Sequence, residues 1–258
     1  MNKILAVAGV VIKELYRRKD FYILFILTAL MTLLLGSVNL FNDDRIVRYL
    51  KEICLLLIWL STLIIAITTA ARQIPFEREQ RTIFPLLAKP IARWQVVLGK
   101  FAGCWLASGL ALIVFYGFFA LISASREHTL PAAHYFQALW LHWLMLGIVI
   151  ALTLLGSVAL TTPAANVTIV FILSVGILFV GEHLHKVAGR MSEPASTLVT
   201  LGYFLLPHLE FFDVRRLIIH DWPLIEWTYI GGATLYGLAY AAFFLLAACL
   251  VFRRKALN

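Results

Sequence analysis

The sequence predicts an all-α, polytopic membrane protein with six transmembrane helices and an N-terminal helix lying along the membrane interface. Three observations carry this expectation. Hydrophobic residues make up 62% of the 258 positions and charged ones only 14%, whereas soluble domains carry about 25% charge. The mean hydropathy of +0.88 agrees. Six apolar segments, at 21–40, 53–71, 101–123, 136–160, 167–181 and 227–252, approach the ~20 residues needed to cross ~30 Å of hydrocarbon as a helix. The basic residues are also unequally divided between the segments that separate these spans.

That division sets the topology. The stretches up to Asp20, from 72 to 100, from 161 to 166 and after 252 fall on one face. They hold fourteen of the 22 Lys and Arg residues but only four of the 14 acids. Lys and Arg concentrate on the cytoplasmic side, so both termini are expected there. The basic balance then reflects topology and anionic headgroups, and nucleic acid is not an expected partner. Residues 1–258 are expected to form a single transmembrane domain, since the chain leaves no room for a soluble module of ordinary size.

Residues 1–19 form the interfacial helix. Ile4, Val7, Ala8, Val11, Ile12 and Leu15 recur at helical spacing, with Lys3, Lys13, Arg17 and Arg18 largely off that stripe, as in helices that lie in the headgroup region. This stretch is too charged for a cleaved signal. The outer loops near 42–52 and 124–134 are short and read as solvated turns. The inner turn 161–166 is tiny and uncharged. The fifth apolar segment is short, so its helix is expected to continue through Glu182 to His185.

The outer segment 182–226 is long yet still apolar. Pro194, Pro207 and Pro223 cut it into pieces too short to span. Short helices that dip into the outer interface and gate a pathway are expected. Non-helical backbone at membrane depth is tolerated only when it is buried in protein or lines a cavity.

Catalytic signatures are missing from the sequence. Gly99-Lys100 is followed by Phe101 and lacks the upstream glycine of a phosphate-binding loop. There is no zinc-protease or nucleophile-elbow motif. The spans carry no clear relay of ionisable groups: His142, Glu182, His183 and His185 all read as lying near an interface. Energy for any transport must therefore enter from outside the chain. The outer histidines, His208 and His220 included, read as interfacial rather than as metal ligands, and Cys54, Cys104 and Cys249 as small apolar residues. Trp59, Trp140, Trp143, Trp222, Trp227 and Tyr229 read as an interfacial aromatic belt.

The longest polar interruption is 72–100, with Arg72, Arg78, Arg81, Lys89, Arg93 and Lys100 set against Glu77 and Glu79. Arg72 is expected to end the second span and Pro75 to open a short surface helix. Thr82 caps a second one, with Pro85 in its first turn. From 77 to 103 the sequence reads E-R-E-Q-R-T-I-F-P-L-L-A-K-P-I-A-R-W-Q-V-V-L-G-K-F-A-G. This order resembles the coupling segment of ABC-2 type transporter permeases: an acid, a residue before Thr, a Leu-Leu pair, Lys-Pro, Arg and Gly-Lys after the second span. The group associated with multicopper enzyme maturation, which includes the nitrous-oxide reductase maturation permease, is the most similar. Many relatives carry Gly where this chain has Arg81.

The resemblance implies an ABC-2 exporter-like transmembrane domain in a prokaryotic inner (plasma) membrane. It implies a coupling helix over 76–87, with Glu77, Arg78, Glu79, Arg81, Thr82, Leu86 and Leu87 meeting a separate cytoplasmic ATPase subunit. Two permease copies, as a homodimer, would work with two ATPase copies. No cofactor is expected on this chain; ATP and Mg would belong to the ATPase. The substrate stays open. Apolar residues such as Phe171, Phe179 and Phe204 suit amphiphilic cargo and suit plain helix packing equally. Two other classes remain: a membrane scaffold or assembly factor that docks a partner through 72–100, and a lipid-modifying membrane enzyme.

Overall fold

The computed structural model describes residues 3–17, 19–37, 44–79, 92–127, 131–188, 192, 194, 196–197, 206–220 and 222–254. Its regular elements are helices: α1 (Lys3–Tyr16), α2 (Lys19–Ser37), α3 (Asp44–Glu79), α4 (Arg93–Glu127), α5 (Ala132–Ala159), α6 (Pro163–Ala188), a 3-10 turn (Leu209–Phe212), α7 (Arg215–Ile219) and α8 (Trp227–Arg254). Among the described residues four stretches are long and apolar enough to cross a membrane: Lys51–Glu79, Arg93–Ser125, Ala132–Ala159 and Trp227–Arg254. Two shorter apolar stretches, Phe21–Leu34 and Pro163–Leu178, fall where the first and fifth spans are expected.

The helices are longer than the apolar runs that predict them. The loop expected at 42–52 is helical from Asp44, and α4 and α5 reduce the 124–134 loop to the residues between Glu127 and Ala132. Once a helix has nucleated, each added residue gains a backbone bond, so helices run on past the hydrophobic boundary. Likewise α6 continues past Glu182 and His185 to Ala188, as expected from the short apolar run.

At the centre lies α5, with 72% of its apolar window buried against 28% for α8. It packs on α3, α4, α6 and α8. Small residues permit the closest approach. Trp105 and Trp143 stack with ring centroids 4.4 Å apart. Each indole N–H donates to the other's backbone carbonyl at 2.9 Å. A Cβ on Gly109 would sit 2.6 Å from Trp143 Nε1, and one on Gly147 3.0 Å from Trp105 Nε1. Each helix thus offers a glycine four residues after its own tryptophan to receive the partner's ring. Packing of this kind drives helix association where lipid removes the hydrophobic incentive.

This overturns part of the expected aromatic belt. Trp59 is buried and Trp143 is locked between helices, while Trp222 and Trp227 remain exposed. Trp140 donates to Thr234 Oγ1 on α8 at 3.1 Å. Several buried hydroxyls are satisfied inside their own helices, as Thr32 is by the Thr28 carbonyl and Thr153 by that of Val149. This is how a helix carries threonine where no water reaches.

Candidate functional site

Two polar assemblies stand at opposite ends of the bundle. The first, at the end where α3 finishes and α4 begins, gathers α1, α3, α4 and the last turn of α8. Here α1 lies tightly on the start of α4. Val7, Ala8 and Val11 of its predicted stripe are buried, while Leu5 and Val10 stay exposed. Gly99 and Gly103, one turn apart, make room for it: a Cβ there would approach Val7 Cβ to 2.8 Å and Val11 Cβ to 2.7 Å.

The helix α3 does not stop at Arg72. It runs through Pro75 to Glu79, which corrects the expected break. Proline in a helix interior loses a backbone bond and crowds the preceding turn. Here burial compensates, since Gln73 and Ile74 are 2% and 1% exposed. The Gln73 amide donates to the Thr69 carbonyl at 3.2 Å and to Glu14 Oε2 of α1 at 3.4 Å. Glu77 then turns inward to Lys100 of α4 at 2.5 Å, the two side chains being 15% and 5% exposed.

Only part of the predicted contact set can be placed. Glu77 is engaged with Lys100, Arg78 is half-buried and Glu79 is exposed. Arg81, Thr82, Leu86 and Leu87 lie outside the described residues, as does most of the expected 76–87 helix. Where the chain re-enters α4, the Gln95 side chain accepts from the Ala92 N–H at 3.0 Å, closing the helix start as in a capping box. Arg93 donates to the carbonyls of Phe252 and Arg253 at 2.9 and 3.2 Å and sits 5.7 Å from the Phe252 ring centroid. A cation there satisfies the last carbonyls of α8 and complements its dipole.

At the opposite end, residues 206–226 form a cap. Gln137 of α5 is fully buried and binds Ile225 twice, donating to its carbonyl at 2.9 Å and accepting from its N–H at 3.1 Å. His134 Nε2 meets the Trp222 carbonyl at 2.9 Å. From α8, Tyr229 donates to the Phe211 carbonyl at 3.1 Å and Tyr236 Oη accepts from the His208 N–H at 2.9 Å. The short helices expected between Pro207 and Pro223 are therefore present, as the 3-10 turn and α7. Phe204 and the side chain of Phe179 lie outside the described residues.

Asp213 and Arg215 form a fork within the cap, with bonds of 2.8 and 2.7 Å. The Arg215 guanidinium lies over the Trp59 ring of α3, 5.4 Å from its centroid. Burial pushes the Asp213 carboxyl up, but the bonds and charge of Arg215 outweigh it, leaving the group below the usual carboxylate range. Burial opposes the charge on Arg215, and Asp213 more than restores it. With the folded value depressed, the fork's stabilisation is full above the unfolded value of ~3.9 and fades as pH falls through the lower folded one.

Beneath the fork, His142 is 3% exposed, enclosed by the neighbouring helices. Its Nε2 lies 3.1 Å from Thr62 Oγ1 of α3 and its Nδ1 3.5 Å from Tyr116 Oη of α4. Sequence reasoning missed Gln137, Tyr116, Asp213 and Arg215 altogether. The available signal was a lone polar residue inside each apolar run, which identifies a buried group but not its partner. Among the described residues no cluster of three or more His, Cys, Asp or Glu side chains could hold a metal ion.

A family profile described as ABC-2 family transporter protein matches residues 42–257. The chain belongs to the ABC-2 transporter family. A search of curated proteins returns no match. The chain is thus a multi-pass membrane component of an ABC-2 transporter, a permease whose relatives generally pair with an ATPase subunit. ABC-2 permeases typically bind no cofactor of their own. In this ABC-2 permease the two assemblies differ in position. One lies where α3 finishes and α4 begins, and the other at the far end of the bundle.

Proposed function

We propose that this chain is the permease subunit of an ATP-driven exporter, working as a homodimer on two cytoplasmic ATPase subunits that carry ATP and Mg. Six spans place both termini in the cytoplasm of a prokaryotic cell, and residues 1–258 act as a single membrane domain. The order of residues from 77 to 103 favours the group associated with multicopper enzyme maturation. The polar segment 72–100 receives the ATPase, with Arg78, Glu79, Arg81, Thr82, Leu86 and Leu87 as its contact surface. Glu77 positions that surface through Lys100 rather than touching the ATPase first. Segment 182–226 is the outer gate.

The observation that carries this reading is the continuity of α3. One helix of 36 residues includes, over about 30 Å at 1.5 Å per residue, the whole path from the cap contact at Trp59 to the base of the polar segment at Glu79. Displacement of its lower end by a nucleotide-driven partner is felt at the other. Each transport state is then a population favoured by different contacts at the two ends.

The test is co-purification of the permease with its ATPase and measurement of ATP turnover. Reversing Arg78, Glu79 and Arg81 together is expected to abolish both complex formation and permease-dependent turnover. If both survive the triple reversal, the coupling assignment is wrong.

A further inference from the structure

We propose that the cap at 206–226 opens along one seam, between Arg215 and Trp59 of α3, while it stays attached to α5 and α8. This rests on reading the cap as the outer gate, and it names the plane along which that gate parts.

The argument is an asymmetry in how the cap is held. Toward α5 the ties are hydrogen bonds: Gln137 takes both backbone groups of Ile225, and His134 meets the Trp222 carbonyl. Toward α8 they are again hydrogen bonds, from Tyr229 and at Tyr236. Parting the part-buried ones, those of Gln137 to Ile225 and of His208 to Tyr236, would leave backbone groups without their side-chain partners, which is costly. Toward α3 the described contacts differ in kind. Arg215 lies over Trp59, α7 packs its apolar face, and Glu52 acts on Arg215 by charge at a distance.

Each contact between the cap and α3 can be surrendered without orphaning a polar group of the cap. Arg215 keeps its fork with Asp213 when Trp59 withdraws, since both fork residues belong to the cap. Below it, Thr62 also meets His142, but its hydroxyl has the Ile58 carbonyl at 2.9 Å within α3. Thr62 therefore retains a partner if α3 moves away from α5. The fork has a second role: it holds the guanidinium flat and in place, so that a cation meets the ring face and the seam re-forms in one register. Arg215 is thus a positioning residue for the closed state, and Asp213 holds Arg215.

The experiment uses the full chain in proteoliposomes, with the three native cysteines replaced by serine. Leu55, one turn from Trp59 on the same face and fully buried, is changed to cysteine as the seam reporter. Ala138, beside Gln137 and 1% exposed, is changed in a separate chain as the hinge reporter. Labelling by a membrane-impermeant maleimide is timed from the cap side. Trp59→Ala and Arg215→Gln are each expected to speed labelling at Leu55→Cys about tenfold. The double variant should do no more than the faster single, and Ala138→Cys should stay unlabelled.

Arg215→Lys, which keeps the charge but loses the planar face, should fall between wild type and Arg215→Gln; it substitutes if Arg215→Gln does not fold. Unchanged labelling at Leu55→Cys, or equal acceleration at both reporters, overturns the proposal. The measurement needs no ATPase. Its failure is therefore distinct from failure of the coupling assignment, which is read from complex formation and ATP turnover.

Discussion

Individual side chains decide how the two ends of the bundle are held. The Glu77–Lys100 pair is nearly sealed from solvent, and removing one partner of a buried pair leaves the other charge uncompensated. Glu77→Ala is expected to cost about 3 kcal/mol, read as a lowered unfolding midpoint in detergent. Replacing both residues, as Glu77→Leu with Lys100→Met, should recover most of the loss. At the cap, Gln137→Ala leaves the Ile225 N–H and carbonyl without their side-chain partner. Hydrogen exchange over 222–226 should rise by at least tenfold, while exchange in the middle of α3 stays unchanged. These partners were not legible in the sequence. Gln137 and Ile225 are 88 positions apart, and nothing in periodicity tells an amide inside an apolar run which backbone it will bind.

Among the helices, close approach is encoded by glycine, and its effect depends on what lies opposite. Gly103→Ala would drive a methyl into Val11 and the Ala8 carbonyl. It is expected to lift α1 off α4 and to accelerate proteolysis or exchange over residues 3–16. Gly9, on α1 itself, has open space beside it, so Gly9→Ala should be neutral or stabilising by up to ~1 kcal/mol through helix propensity. The same contrast applies between α4 and α5. Gly109→Ala strikes the Trp143 indole, whereas Gly117 meets nothing within 4 Å. Gly109→Ala should lower the unfolding midpoint and shift tryptophan fluorescence; Gly117→Ala should do neither. A helical glycine looks the same in sequence in both cases, and only the neighbouring helix separates them. The run-on of α3 through Pro75 has the same origin, because burial of Gln73 and Ile74 outweighs a local helix breaker.

For the molecule as a whole, the expected topology is tested by accessibility. Trp222→Cys, in the exposed part of the cap, should react with an impermeant reagent added to intact cells. Arg254→Cys, at the exposed end of α8, should react only after the membrane is opened. Reaction of both from one side would mean an even number of crossings between them and would revise the six-span arrangement.

What the sequence determined by itself is the class of the molecule. Apolar composition, six hydrophobic runs and the bias of Lys and Arg define a helical membrane protein. The ordered residues from 77 to 103 point to the ABC-2 family before any coordinate is known. These properties are local or additive, so a linear chain displays them. The tertiary structure decided which polar residues face one another. It paired Glu77 with Lys100, set Arg93 against the end of α8 159 positions away, sank His142 beneath the cap and laid Arg215 over Trp59. In a membrane a buried polar group that is satisfied must find its partner inside the protein. The identity of that partner depends on helix rotation and on contacts remote in sequence, which hydropathy and charge counts do not carry.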